Sequence, residues 1–371
     1  MKLTLERAAL LKSLGHVQSV VERRNTIPIL ANVLIRAQQN AVSFAATDME
    51  IEINESVDGQ VGKPGALTAP AHTLYEIVRK LPEGAQVDLT AANSNQLTLS
   101  SGRSHFKLGC LPIDDFPKMP EGDLKQKFTL SAADLRTLID RTRFAMSTEE
   151  TRYYLNGIYL HTAKNKNVEV LRAVATDGHR LARVEMPAPR GAKDMPGIII
   201  PRKTVNEVRK LIDEASGDIE IALSEAKVRF TFDGVVITSK LIDGTFPDYE
   251  RVIPTGNDKL MQVDTRAFAA AADRVATISS EKSRAVKLSL TPGHMVLSAH
   301  SPEAGSATEE LEVKYDGALL DVGFNARYML DILQQIESEG VSFSLADATA
   351  PAIIQDVADA SALYVLMPMR V

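Results

Sequence analysis

A strand running into an amphipathic helix occurs three times along the chain, and this repeat constrains the fold more than any single residue does. Apolar–polar–apolar triplets open the three copies at Leu3-Thr4-Leu5, Phe128-Thr129-Leu130 and Met261-Gln262-Val263. A second helix-opening signal follows each triplet at a similar distance, at Thr68-Ala69-Pro70, Ile200-Pro201-Arg202 and Gly323-Phe324-Asn325. Each copy therefore holds two halves, and each half pairs a helix with strands.

Six stretches carry apolar residues at helical spacing, so one face turns to a core and the other stays polar. They are Leu10/Leu14/Val17, Leu74/Ile77/Val78/Leu81, Leu135/Leu138/Ile139, Val205/Val208/Leu211/Ile212, Phe268/Ala271/Ala272/Val275 and Met329/Ile332/Leu333/Ile336. Thr142 is the weak member of the third stripe. Ser131 and Asp264 are expected as N-caps, since their side-chain oxygens can accept from the free N–H groups of a first turn. Val228–Phe232 and Val235–Thr238 flank Asp233-Gly234, a pair that tolerates positive φ and predicts a tight hairpin. Pro/Gly/Asp-rich stretches at Met119–Asp123 and Pro254–Asp258 read as linkers. The expected class is α+β, with three similar domains at 1–121, 127–252 and 258–371, each with two helices on antiparallel sheet.

Composition narrows the function classes. The 371 residues are 44% hydrophobic and 24% charged, which describes a globular chain with ample core. No apolar run reaches the ~18–20 residues of a membrane span, and the N-terminus lacks a signal-peptide core. One cysteine, Cys110, excludes an intrachain disulfide, and a reducing cytoplasm is the expected location. The net charge is −6, but it is unevenly spread. Segments 6–24, 72–80, 132–143, 201–214, 264–274 and 325–337 hold 16 Lys plus Arg against 12 Asp plus Glu. The helices are thus basic and the remainder acidic, with the basic excess in the first two copies. By charge alone this is either the solvated face of ordinary helices or a surface for a polyanion.

Repeated interfaces joined head to tail close into a ring when the rotation permits. An enzyme reading starts from Asp177-Gly178-His179-Arg180, where an aspartate could orient a histidine base. The chain holds no nucleotide-binding, zinc-protease or serine-hydrolase signature, and no cofactor or metal is expected. A protein-binding scaffold without nucleic acid is the third reading.

Four longer stretches carry a family resemblance. They are Arg152-Tyr153-Tyr154-Leu155-Asn156-Gly157, Ala175–Ala182 (ATDGHRLA), Thr238–Tyr249 (TSKLIDGTFPDY) and Tyr364–Arg370 (YVLMPMR). Together with the triplication along the whole chain, they closely resemble the bacterial DNA polymerase III beta subunit, the replicative sliding clamp. The resemblance implies a non-catalytic, head-to-tail homodimeric ring that encircles duplex DNA without reading sequence. It implies tethering of the polymerase III catalytic subunit, with the clamp loader, other polymerases and mismatch-repair proteins docking through linear motifs.

The family's peptide pocket carries over to Leu155, Thr176, Gly178, His179, Arg180, Leu181, Pro247, Arg251, Val252, Asn325, Tyr328, Val365, Met367, Pro368, Met369 and Arg370. Methionine walls suit a site shared by many partners. Read from the residues alone, the last strand is better taken as an edge strand ending in core residues. DNA contacts carry over to Arg24, Tyr153, Tyr154, Arg202 and Lys203, where aromatics beside cations suit exposed single strand. For the tyrosines, plain surface or core packing is the competing reading. His72 and Thr73 stand at a helix start where the family can be basic, which weakens a DNA role there. The dimer interface carries over to Phe106 and Leu108 against the region of Ile278, with Arg103 facing acids such as Glu303.

Overall fold

The computed structural model describes residues 1–23, 26–91, 93, 95–120, 122–279 and 284–370. In chain order the first stretch runs β1 (Lys2–Glu6), α1 (Arg7–Gln18), β2 (Asn32–Gln38), β3 (Ala41–Thr47), β4 (Ile51–Asp58), β5 (Gln60–Lys63), β6 (Gly65–Pro70), α2 (Ala71–Lys80), β7 (Gln86–Thr90), β8 (Gln96–Ser101) and β9 (Ser104–Gly109). The middle stretch runs β10 (Gln126–Ser131), α3 (Ala132–Arg143), β11 (Gly157–Asn165), β12 (Val168–Thr176), β13 (Arg180–Pro187), β14 (Ile198–Pro201), α4 (Arg202–Leu211), β15 (Asp218–Leu223), β16 (Lys227–Phe232) and β17 (Val235–Lys240). The last runs β18 (Lys259–Asp264), α5 (Thr265–Ala276), β19 (Ala285–Thr291), β20 (His294–Ser301), β21 (Gly305–Glu312), β22 (Leu320–Asn325), α6 (Ala326–Leu333), β23 (Gly340–Leu345), β24 (Ala352–Asp356) and β25 (Ala362–Leu366).

Each expected helix forms, and its apolar stripe is buried apart from the half-buried Ile77. Leu10, Leu14, Val17, Leu74, Val78, Phe268, Ala271, Ala272, Met329 and Ile332 are all fully covered. The helix starts follow the sequence signals. Ser131 Oγ accepts from Asp134 N at 3.0 Å, Asp264 Oδ1 accepts from Ala267 N at 2.7 Å, and Asn325 Oδ1 accepts from Arg327 N and Tyr328 N. Thr142 lies in the buried face after all, because its hydroxyl donates to Leu138 O at 2.6 Å and so needs no water. The Asp233-Gly234 hairpin forms with both residues at positive φ, 45° and 80°.

Contact density groups the chain into two compact units. Unit 1 comprises 1–135, 189–192 and 203–241; unit 2 comprises 136–188, 193–202 and 242–371. Each contains one eight-stranded antiparallel sheet. In unit 1 the order is β10-β15-β16-β17-β4-β3-β2-β6. In unit 2, read in the same sense, it is β18-β23-β24-β25-β13-β12-β11-β14. These are the same sheet built twice. In each, a strand closing a later half pairs with a strand from an earlier one: β17 with β4, from Val235↔Glu55 to Ser239↔Ile51, and β25 with β13, from Ala362↔Val184 to Leu366↔Arg180. Continuous hydrogen bonding across these joints explains why contacts cluster in two units although the sequence repeats three times.

Each unit also holds a smaller sheet. Unit 1 has β5-β1-β7-β8-β9, and unit 2 has β21-β20-β19-β22. Apart from the added strand β5, each matches half of the eight-stranded pattern, ending at β9 and at β21.

In unit 1, α1 packs on β3 and β4. Its His16 Nδ1 lies 2.7 Å from the buried Glu55 carboxylate and its Nε2 lies 3.4 Å from Glu214, while Ser13 Oγ donates to Glu55 at 3.1 Å. In unit 2, Arg141 on α3 bridges Asp359 at 2.6 Å and Glu337 at 3.0 Å. That guanidinium holds the Asp359 carboxyl down to about 2.

Candidate peptide-docking groove

Three of the motif stretches and the Ile242–Tyr249 part of the fourth meet within unit 2. Leu155, Leu181 and Val365 pack with Val174, Ile199, Phe246, Tyr249 and Leu363 into one apolar cluster, and Tyr154, Tyr159, Ile242, Ile253 and Ile353 lie against it half-buried. Thr176, Leu181, Val365 and Ile353 share a cross-strand row over β12, β13, β25 and β24, through the pairs Thr176↔Leu181, Leu181↔Val365 and Val365↔Ile353. Cross-strand neighbours point to the same face, so alternation alone sets this floor. Tyr159 stacks on Phe246 with ring centroids 4.8 Å apart.

The turn between β12 and β13 closes one end. Thr176 Oγ1 donates to Arg180 O at 2.7 Å and accepts from Gly178 N at 3.1 Å. Asp177 Oδ1 accepts from His179 N and Arg180 N. Gly178 sits at φ 87°, in the left-handed region that side chains resist, and a Cβ there would come within 2.6 Å of the Arg152 guanidinium.

Arg180 is the anchor of this end. It bonds Asp177 at 3.1 Å, Asp331 at 2.5 Å and Phe144 O at 2.6 Å. Its guanidinium also lies over the Tyr328 ring at 4.4 Å. His179 stacks against the same tyrosine at 6.0 Å. The Asp177 carboxylate is thus spent on two backbone N–H groups and Arg180, and the His179 ring lies on Tyr328. The aspartate–histidine dyad of the enzyme reading is not assembled.

The C-terminal residues form the adjoining wall. Met367 N donates to His179 O and Met369 N donates to Gly323 O. Val365 is buried while Met367 is 39% exposed. β25 is not an edge strand: it is hydrogen-bonded on both sides, to β13 and β24. Val252 and Pro247 are exposed, and Arg251 bonds Asp248 at 2.8 Å on the surface. Asn325 serves α6 as its N-cap. Arg370 is exposed. A floor of apolar side chains beside an exposed methionine and exposed polar rim suits a short extended segment with large apolar side chains.

The other predicted residues fall elsewhere. Tyr153 is 52% exposed, but Tyr154 packs on the groove cluster and belongs to it. Arg202 donates to Ser147 O at 3.3 Å. Lys203 is engaged by Asp48 and Glu22; burial works against its charge, and the Asp48 carboxylate more than restores it, so its pKa is raised. His72 contacts the Val21 carbonyl at 2.9 Å. Arg24 lies outside the described residues. Phe106 and Leu108 are half-buried on β9, Ile278 is half-buried after α5, and Arg103 and Glu303 are exposed in hairpin turns.

Sequence reasoning missed Val174, Ile199, Phe246, Tyr249 and Leu363. The signal was present: Val174 and Leu363 precede Thr176 and Val365 by two positions and so share their face. Phe246 sits beside Pro247 in one quoted motif.

Repeated sheets with an apolar cluster edged by exposed residues define a candidate docking scaffold. Three family models match in succession: the N-terminal domain of the DNA polymerase III beta subunit over residues 1–120, the central domain over 129–248 and the C-terminal domain over 250–370. The beta sliding clamp of Caulobacter vibrioides is 54% identical over 372 residues, and that of Escherichia coli K12 is 39% identical over 373, both covering 100% of each chain. Among solved structures, the Bartonella birtlesii clamp bound to griselimycin aligns with a TM-score of 0.98 at 52% identity over 100% of both chains. The Pseudomonas aeruginosa clamp bound to griselimycin aligns with a TM-score of 0.95 at 40% identity, again over 100% of both chains. The chain belongs to the bacterial DNA polymerase III beta subunit family, the beta sliding clamps. These are non-catalytic processivity factors.

No described helix is long and apolar enough to cross a membrane.

Proposed function

We propose that two copies of this chain close head to tail into a ring around duplex DNA in the cytoplasm, and that the ring tethers the replicative polymerase. The domains take the bounds 1–121, 127–252 and 258–371. The observation that carries the ring is the pair of half-sheets. The β17–β4 and β25–β13 joints are completed within the chain, whereas among the described residues β9 and β21 are the matching strands with no partner of that kind in the sheet order.

Transferring the β17–β4 register to the free strands sets Ser104 opposite Glu309, Phe106 opposite Ala307 and Leu108 opposite Gly305. Phe106 and Leu108 then add apolar area at the interface near Ile278. This register favours Glu310 over Glu303 as the acid nearest Arg103.

DNA is held by topology, with modest charge. Tyr153, Arg202, Lys203 and Arg24 are the proposed contacts; Tyr154 is assigned to the groove. The unit 2 groove takes linear motifs of the catalytic polymerase subunit, clamp loader, other polymerases and mismatch-repair proteins. The griselimycin complexes of the two relatives support a groove of this kind.

The groove is tested by titrating a labelled clamp-binding peptide, with griselimycin as competitor. Met367→Ala removes an exposed apolar wall and is expected to weaken binding roughly 10- to 100-fold while leaving the dimer intact. Unchanged affinity would contradict the placement.

A further inference from the structure

The groove has a structural twin in unit 1. Thr47 Oγ1 donates to Ile51 O at 2.9 Å and accepts from Met49 N at 2.9 Å. Asp48 Oδ1 accepts from Glu50 N and Ile51 N, both at 2.8 Å. This is the Thr176–Arg180 turn bond for bond, and Met49 at φ 76° occupies the place of Gly178. Lys240 N donates to Glu50 O at 2.9 Å, as Met367 N donates to His179 O. Leu30, Ala45 and Phe116 form an apolar cluster that matches Leu155, Val174 and Phe246. A cavity of about 420 Å³ opens over this twin floor, between Leu34, Ala45, Phe116 and Met119.

The floor row is where the two copies part. In unit 2 the row is Leu181–Val365–Ile353. In unit 1 the same register positions hold Glu52–Thr238–Arg229, through Glu52↔Thr238 and Arg229↔Thr238. All three line the cavity. Arg229 Nε donates to Thr238 Oγ1 at 3.2 Å, and Glu52 accepts from Met119 N at 3.3 Å. An apolar side chain seated on this row would strip water from a carboxylate and a guanidinium and return no hydrogen bond. That cost outweighs the apolar area gained.

We infer that Glu52, Thr238 and Arg229 are specificity-determining residues that leave the chain with one apolar-motif groove where its repeated frame provides two. The inference rests on the reading of the unit 2 groove as the motif site. It implies that the frame itself is competent, and that discrimination is carried by three side chains on one face of three neighbouring strands.

Calorimetric titration with the clamp-binding peptide reads the number of sites per chain. The wild-type chain is expected to bind one peptide, and Glu52→Leu/Thr238→Val/Arg229→Ile is expected to bind two, the second within about tenfold of the first in affinity. A folded triple variant that still binds one overturns the inference, as does a wild-type chain that binds two. A wild-type chain that binds none overturns the groove reading instead. The reciprocal variant, Leu181→Glu/Val365→Thr/Ile353→Arg, installs a row that already folds in unit 1. It is expected to bind the peptide at least ~100-fold more weakly than wild type, and a change below about threefold overturns the inference even if the first variant does not fold.

Discussion

At the scale of single residues, the fold depends on a few polar groups buried with their partners in place. His16 is the clearest case. Burial works against its charge, but the hydrogen bond to Glu55 and the nearby Glu214 carboxylate more than offset this, so its pKa lies above the usual value. Its contribution is present in full below the unfolded-state pKa of ~6.5. It is lost as pH rises through the higher folded-state value. The thermal stability of the wild type should therefore fall as pH rises from about 6.5 through the raised folded-state value, and His16→Gln should remove that slope. Replacement by Ala should cost about 2–4 kcal/mol, because the Glu55 carboxylate is left buried without its counter-charge. Parallel melting curves for wild type and His16→Gln across this range would contradict the assignment.

Other residues show what a sequence does and does not disclose. The caps at Ser131 and Asp264 and the Asp233-Gly234 turn are local chemistry, and they are legible. Tyr154 reads as a DNA contact from its neighbours in the chain, but in the structure its ring lies half-buried against the groove cluster. Asp177 and His179 sit two apart, yet the turn sends the carboxylate to the backbone and the imidazole to Tyr328. Nothing in the local sequence announces α6 as the source of that tyrosine.

At the scale of elements, the strands rather than the helices decide the architecture. The helical stripes were readable because one period of 3.6 residues identifies a buried face. Strand pairing across the repeats was not, since β17–β4 and β25–β13 join segments far apart in the chain. For this reason β25 reads as an edge strand in sequence and stands inside a sheet in the structure. The same logic picks out β9 and β21 among the edge strands. β9 and β21 carry Lys107, Glu310 and Glu312 exposed along otherwise pairable backbone, which limits pairing to a partner of matching register.

Leu108→Asp places a carboxylate at the proposed apolar centre of that pairing, and an unpaired buried charge there should cost several kcal/mol. Light scattering at micromolar concentration should then show monomers with an unchanged far-ultraviolet spectrum. A variant that stays dimeric would remove β9 from the interface.

At the scale of the whole molecule, charge accounts for sliding better than the tally of basic residues does. Many helix cations are already engaged. Lys12 pairs with Glu214, Arg79 with Glu76, Arg143 with Asp140, Arg209 with Asp213 and Lys210 with Glu207. The exposed pairs among them, such as Lys12–Glu214 and Arg79–Glu76, contribute about 0–1 kcal/mol to stability, but all of them mute the field a phosphate backbone would meet. A surface made of paired charges attracts DNA weakly and sequence-independently. A topological link then has to supply retention. The most direct measurement is to load the protein onto nicked circular DNA with its clamp loader and then cut the circle once. The protein is expected to stay on the intact circle through a salt wash and to leave over the free ends after cutting. Retention on the linear product, or loss from the circle before cutting, would contradict the topological link.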